Sequence, residues 1–171
     1  MGTIFVDNLQ PQSGTSLTLG TSGDAINLAS GATAGFGKIG QVVYQTSTAT
    51  MSTSSTSFVQ NFSASITPSS TSNKILVVGH TGRIDTDTSG NTFSATIYRD
   101  STNLFSSSLG VTTYKHDSAN AHGNISMNIL DEPSTTSSLT YYMYYKKNDG
   151  SGTVWLNSGG TISLTLMEVL A

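Results

Sequence analysis

Thr161-Ile162-Ser163-Leu164-Thr165-Leu166 alternates hydroxyl and apolar side chains at every step. A period of two puts Ile162, Leu164 and Leu166 on one face of a strand and the hydroxyls on the other. The same alternation recurs in Phe93-Ser94-Ala95-Thr96-Ile97-Tyr98 and in Asn124-Ile125-Ser126-Met127-Asn128-Ile129. Strands of this kind bury one face against a second sheet and wet the other. Working outward, strands are expected over 39–46, 57–66, 74–79, 93–99, 103–109, 124–130, 139–146, 153–156 and 161–169. Turn chemistry separates them: Pro68-Ser69-Ser70, Ser89-Gly90-Asn91, Glu132-Pro133-Ser134, Asn148-Asp149-Gly150 and Ser158-Gly159-Gly160. Nine strands at this spacing predict an all-β fold, a jelly-roll-like antiparallel β-sandwich.

Composition points the same way. Only 10% of the 171 residues are charged, against about 25% in an ordinary soluble domain. Ser, Thr, Gly and Asn take the space that helix formers usually fill, and Thr favours strands. Lys74-Ile75-Leu76-Val77-Val78 is a continuous apolar run and reads as a strand covered on both sides. Tyr141-Tyr142-Met143-Tyr144-Tyr145 offers rings to both faces, so Tyr142 and Tyr144 are candidates for a contact between subunits.

The first 37 residues have a different texture. Ser13-Gly14 precedes Leu17 and Leu19, Ser22-Gly23 precedes Ile26 and Leu28, and Ser30-Gly31 follows. Each unit is a turn and a short alternating strand that cannot bury its apolar side chains alone. Stacking on other chains would bury them, so Leu17, Leu19, Ile26 and Leu28 are oligomerisation candidates. A flexible Gly/Ser linker is the plainer alternative, but it has no use for apolar alternation. The expected organisation is therefore a short β-repeat segment over 1–37, acting as anchor and stalk, and a β-sandwich knob over 38–171.

Several functions are disfavoured at once. Seven Lys and Arg, scattered along the chain, do not make a phosphate-neutralising surface, so nucleic acid is not an expected partner. No apolar run nears the 18 or so residues of a membrane span, so membrane insertion is not expected. Met1 to Asn8 has neither a basic nor a long apolar region of a signal peptide. With no cysteine, disulfides and thiolate metal sites are out of reach. No serine sits in a G-x-S-x-G elbow, and the acidic residues are few and scattered. Neither an enzyme nor a cofactor is expected.

Binding chemistry is better represented. Trp155 lies in Gly152-Thr153-Val154-Trp155-Leu156, beside the tip at Asn148-Asp149-Gly150. Indole and phenol rings stack on sugar faces while Asn, Asp and Lys bond hydroxyls. Tyr114, His116, Asp117, His122, Lys146, Asp149 and Trp155 are the candidate receptor-contact residues. Asp85-Thr86-Asp87-Thr88-Ser89-Gly90-Asn91 matches the first half of a calcium loop, with Asp85, Asp87 and Ser89 as oxygen ligands. Thr96 stands where the closing bidentate Glu belongs, and a polar turn accounts for the same residues.

Gly2-Thr3-Ile4-Phe5-Val6-Asp7-Asn8-Leu9-Gln10-Pro11-Gln12-Ser13-Gly14, with Ser16-Leu17-Thr18-Leu19-Gly20, resembles the N-terminal segment of tail-fibre-like structural proteins of marine phages, cyanophages among them. Lys38-Ile39-Gly40-Gln41-Val42-Val43, Tyr98-Arg99-Asp100-Ser101, Leu130-Asp131-Glu132-Pro133-Ser134 and Leu166-Met167-Glu168-Val169 look similar to the same group. The resemblance implies a virion protein, made in the host cytoplasm and exposed outside after lysis. It implies homotrimers, attachment to other virion proteins through the N-terminal segment, and an outward C-terminal domain. The expected function is thus a tail-fibre or head-fibre subunit, with host cell-surface polysaccharide as ligand. Capsid decoration or a connector without a receptor, and a lone carbohydrate-binding module, are the alternatives.

Overall fold

The computed structural model describes residues 39–88, 90–105, 108–115, 122–149 and 151–171. They belong to one compact unit, Lys38–Ala171. The expected stalk over 1–37, with Leu17, Leu19, Ile26 and Leu28, lies outside the described residues, as do Ser89, His116 and Asp117.

Twelve strands are present among the described residues, and all their pairings are antiparallel. One sheet joins β1 (Ile39–Ser47), β12 (Ile162–Val169), β4 (Lys74–His80) and β9 (Ser126–Asp131), in that order. A second runs β3 (Val59–Ile66), β10 (Leu139–Asp149) and β6 (Thr92–Arg99), with β7 (Thr102–Asn103) and β8 (Thr112–Lys115) both on β6. A third, small sheet is β2 (Met51–Thr53), β11 (Val154–Leu156) and β5 (Ile84–Thr86). Setting aside β7 and the three strands of the small sheet leaves eight. Taken in chain order, they are arranged first-eighth-third-sixth in one sheet and second-seventh-fourth-fifth in the other. That order, two Greek keys wound together, is a jelly roll.

The alternation of side chains decides which face turns inward. Ile162, Leu164 and Leu166 face Phe93, Ala95, Ile97, Tyr141 and Met143 in a single core, each 1% exposed or less. A fully buried side chain of the larger kinds contributes about 1.5–3 kcal/mol, and Ile84, Val154 and Leu156 of the small sheet belong to the same core.

Two strand expectations need correction. Lys74–His80 is covered on one face only: Ile75 and Val77 are buried, whereas Val78 on the other face is exposed. The expected strand over 103–109 stops after Asn103. There the Asn103 Oδ1 accepts bonds from Thr96 Oγ1 (2.7 Å) and from the backbone N–H of Phe105 (3.1 Å), which turns the chain. Pairing with β6 resumes at Thr112–Lys115 after Gly110, whose φ of 76° suits glycine.

Two polar clusters fix the end of the sandwich where β1 starts. Asp131 on β9 accepts from Arg99 Nη1 on β6 (2.8 Å to each oxygen) and from the Tyr141 hydroxyl on β10 (2.7 Å). The contact ties one sheet to the other across the core. Burial, with the Asp131 carboxylate alongside, raises the Tyr141 pKa well above its ordinary value. Glu168 on β12 is 1% exposed. Its Oε1 accepts from the Ser69 N–H (2.6 Å), the Ser69 hydroxyl (2.8 Å) and Asn73 Nδ2 (2.7 Å), and its Oε2 from Gln41 Nε2 (2.8 Å). Burial works to raise the Glu168 pKa, but these donors from Asn73, Ser69 and Gln41 outweigh it and hold the carboxyl at about 2.

Strand register also gives the sandwich two distinct ends. Ile39, Val169 and Lys74 lie together at one, and Ser47, Ile162, Ser163, His80 and Ser126 at the other. The candidate site is at the second end.

Candidate binding cleft at the loop end

Four connections between sheets converge at this end: β1 to β3, β4 to β6, β8 to β9, and β10 to β12. Three of them carry a strand of the small sheet, and the fourth is bridged to it through Ile84 and Gly123. Pairing the connections as a sheet satisfies their backbone groups and gives a floor of defined register. Trp155 stands opposite Asp85 on β5 and Ser52 on β2. Val154 and Leu156 are buried, so the intervening Trp155 side chain turns the other way, to the cleft.

The cleft has a volume of about 410 Å³ and is lined by Thr50, Arg83, Asp85, Thr86, Asp87, His122, Trp155 and Ser158. That volume is in the range that holds a small ligand. A neighbouring hollow of about 310 Å³ shares Arg83 and His122 and adds His80, Asn124 and Thr161. Asp85 is the organising group. Arg83 grips it with Nε (2.9 and 3.0 Å to the two oxygens) and Nη2 (2.8 Å to Oδ2). His122 Nδ1 bonds the Asp85 Oδ1. Burial acts to raise the Asp85 pKa, but the bonds from Arg83, Ser158 and His122 prevail and hold the carboxyl at about 2. Asp87, exposed, accepts the Thr153 N–H (2.9 Å) and the Thr88 hydroxyl (3.0 Å) through Oδ1. The Thr153 bond is the main cause of its lowered pKa.

Asp85 and Asp87, the described members of the half-match to a calcium loop, are both engaged within the protein. Calcium takes six to eight converging oxygens, whereas both oxygens of Asp85 already face the Arg83 guanidinium and Asp87 pins the backbone at Thr153. Asp85 belongs to strand β5, not to a ligand loop. Its pairing with Val154–Leu156 sets its direction.

The receptor-contact candidates fall in three places. His122 and Trp155 meet in the cleft. Lys146 lies on the outer face of the five-stranded sheet, with its Nζ 4.9 Å from the Phe58 ring centre, in a shallow groove with Tyr98 and Asn103. Tyr114 pairs with Phe93 and Asp149 with Thr92 through the backbone. The outer tyrosines are half-buried among themselves: the Tyr98 and Tyr144 rings stack at 4.1 Å, and Tyr142 meets Tyr144 edge-on at 6.1 Å. Sequence reasoning missed Arg83, Thr50 and Ser158. Arg83-Ile84-Asp85 does carry a signal, since alternation puts a cation and a carboxylate on one face of a short strand.

What this arrangement offers a ligand is an indole surface ringed by hydroxyls, carboxylates, an imidazole and a guanidinium. Such a lining suits a polyhydroxylated molecule that stacks one face and bonds along its edge.

No protein-family model and no curated protein matches the chain. Among solved structures, it is similar to the VP2 subviral particle of infectious bursal disease virus at 18% identity and a TM-score of 0.47, over 74% of this chain and 32% of that one. T=1 particles derived from infectious bursal virus match at 16% identity and a TM-score of 0.48, over 86% of this chain and 41% of that one. The Gt strain of infectious bursal disease virus matches at 19% identity and a TM-score of 0.44, over 84% and 36%. The chain therefore spans between about a third and two fifths of the length of these neighbours. The jelly-roll assignment rests on strand order, independently of these likenesses.

Proposed function

We propose that the chain is a non-enzymatic structural subunit of a bacteriophage virion appendage, a tail fibre or head fibre. It works as a homotrimer, with residues 1–37 toward the particle and the loop end of the jelly roll facing out. The polarity of the sandwich is the observation that carries the outward direction of the loop end. The chain enters the domain at Ile39, beside Val169, and the cleft lies past the far end of β1. Nine residues of strand separate the two, roughly 26 Å. A subunit held through its first residues would therefore present the cleft outward. The resemblance of 2–14 and 16–20 to phage fibre segments supports the same reading. Mass spectrometry of purified particles of the encoding phage tests it. Peptides of this chain at a few copies per particle are expected, decoration would show many copies, and absence from the particle would overturn the reading.

A ligand role for the cleft is favoured by one specific feature, Trp155 standing among Asp85, Asp87, Arg83 and His122. Host-surface polysaccharide is the proposed ligand. Because Trp155 is the single tryptophan of the chain, its fluorescence reports on the cleft alone. Titration with host-cell polysaccharide should shift the emission saturably. No change at millimolar sugar would refute the role.

A further inference from the structure

The outer face of the β1-β12-β4-β9 sheet is apolar where a wetted face should be polar. Among the described residues six large apolar side chains are exposed, and five belong to this sheet: Ile39, Val42, Tyr44, Val78 and Leu130. Register joins them. Val42 lies opposite Met167, Met167 opposite Leu76, and Leu76 opposite Leu130, so one apolar row crosses all four strands. The next row is Tyr44, Thr165, Val78 and Asn128, in which apolar and polar side chains alternate. This is a patch rather than scattered exposure, and patches of several hundred Å² mark interaction surfaces.

We infer that this sheet face is the contact between copies of this chain. Two observations favour a second copy over another partner. The first is charge. Among the described residues the face carries one ion pair, Lys74 with Glu132 at 2.5 Å, which neutralises itself at one end, and the row at the opposite end is Thr46, Ser163, His80 and Ser126. Such faces turned toward a common threefold axis meet without stranding a charge, whereas an anionic lipid surface or a charged protein would find no complement. The second is area. Four strands at about 4.8 Å spacing and nine residues at about 3.3 Å give on the order of 500 Å² in projection. A contact that used the whole face would fall at the small end of specific interfaces, for which roughly 800 Å² per partner is standard. The tyrosine face of the other sheet is satisfied within the subunit, where Tyr98, Tyr142 and Tyr144 cover one another. The proposal therefore centres the interface on Val42 and Leu130 in place of the expected Tyr142 and Tyr144. This deepens the self-association part of the proposed function and is independent of the virion assignment.

Sedimentation velocity of the full chain is the test, with Val42→Glu/Leu130→Glu as the variant and Tyr142→Ser/Tyr144→Ser as the control. Val42 and Leu130 are 57% and 49% exposed, so the folded monomer should tolerate the change, as read by circular dichroism. If that variant fails to fold, Val78→Lys alone places a charge on the same face. The wild type should sediment as an assembly. The interface variant should fall to the 17.9 kDa monomer, with association weakened on the order of 100-fold. The tyrosine variant should keep the wild-type mass. A wild-type monomer would overturn both this face and the trimer. An assembly unmoved by the interface variant would overturn this face alone.

Discussion

Glu168→Gln is the substitution from which the structure yields the most definite number. Four donors converge on the Glu168 carboxylate, three on Oε1 and one on Oε2. The new amide keeps one acceptor and must aim its own N–H groups at the rest. With its oxygen on the Ser69 and Asn73 side, its nitrogen meets Gln41 Nε2, donor against donor. Gln41 can turn its amide only by giving up its bond to the Thr67 carbonyl (2.7 Å). The carboxyl is displaced from 4.5 to about 2, which corresponds to about 3 kcal/mol in favour of the folded state when ionised. Loss of charge-assisted bonds at a buried site independently suggests about 2–4 kcal/mol. The sign follows from the lowered folded-state pKa. The stabilisation is present above about pH 4.5 and is lost as the pH falls toward 2. Urea unfolding of wild type and variant at pH 7 and at pH 2.5 measures it, with unchanged m-values as the check on comparability. Asp85 titrates over a similar range, but it is common to both proteins and cancels in the difference. The gap should be about 3 kcal/mol at pH 7 and shrink markedly at pH 2.5. A gap under about 1 kcal/mol at pH 7, or one of equal size at both pH values, would refute the reasoning.

Other consequences are as direct. Asp131→Ala strands the Arg99 guanidinium and the Tyr141 hydroxyl and should cost about 3 kcal/mol by chemical denaturation; adding Arg99→Met should recover part of that loss. Gly110→Ala places a methyl against the Ala95 carbonyl at a φ of 76°. It should lower the unfolding free energy by more than about 1 kcal/mol, whereas Gly159→Ala, with a similar φ of 74° but open space around it, should cost less. Trp155→Phe should weaken polysaccharide binding, followed by calorimetry, while leaving the melting temperature within a few degrees, because the ring lines the cleft and is not in the core.

The jelly roll was legible where one physical rule dominates. Period-two alternation fixed the inward residues of β6, β9 and β12, and turn chemistry placed most of their boundaries. What escaped was local. Asn103 captured two donors and ended a strand that its neighbours would have continued. Strands β2 and β5 are three residues each, too short to show a period, and exist because they pair with β11 on either side. The outer face of β4 was misjudged because an apolar run does not say whether its second face is covered by the same chain or left open for another. At the cleft, Trp155 and His122 were flagged by residue type. Arg83 was not, because its role depends on Asp85 being held beside it by pairing between distant connections. Lys146 belongs elsewhere because position on the outer sheet face, not nearness in sequence to Trp155, decides its surroundings.

The proposed function carries a direction, with the cleft turned away from the particle. An epitope inserted at Gly159, which is exposed in the turn beside the cleft, can be located on intact phage particles by immunogold electron microscopy. Gold at the distal tips of appendages is the predicted result. Gold confined to the particle wall, or at the base of the appendages, would contradict the account.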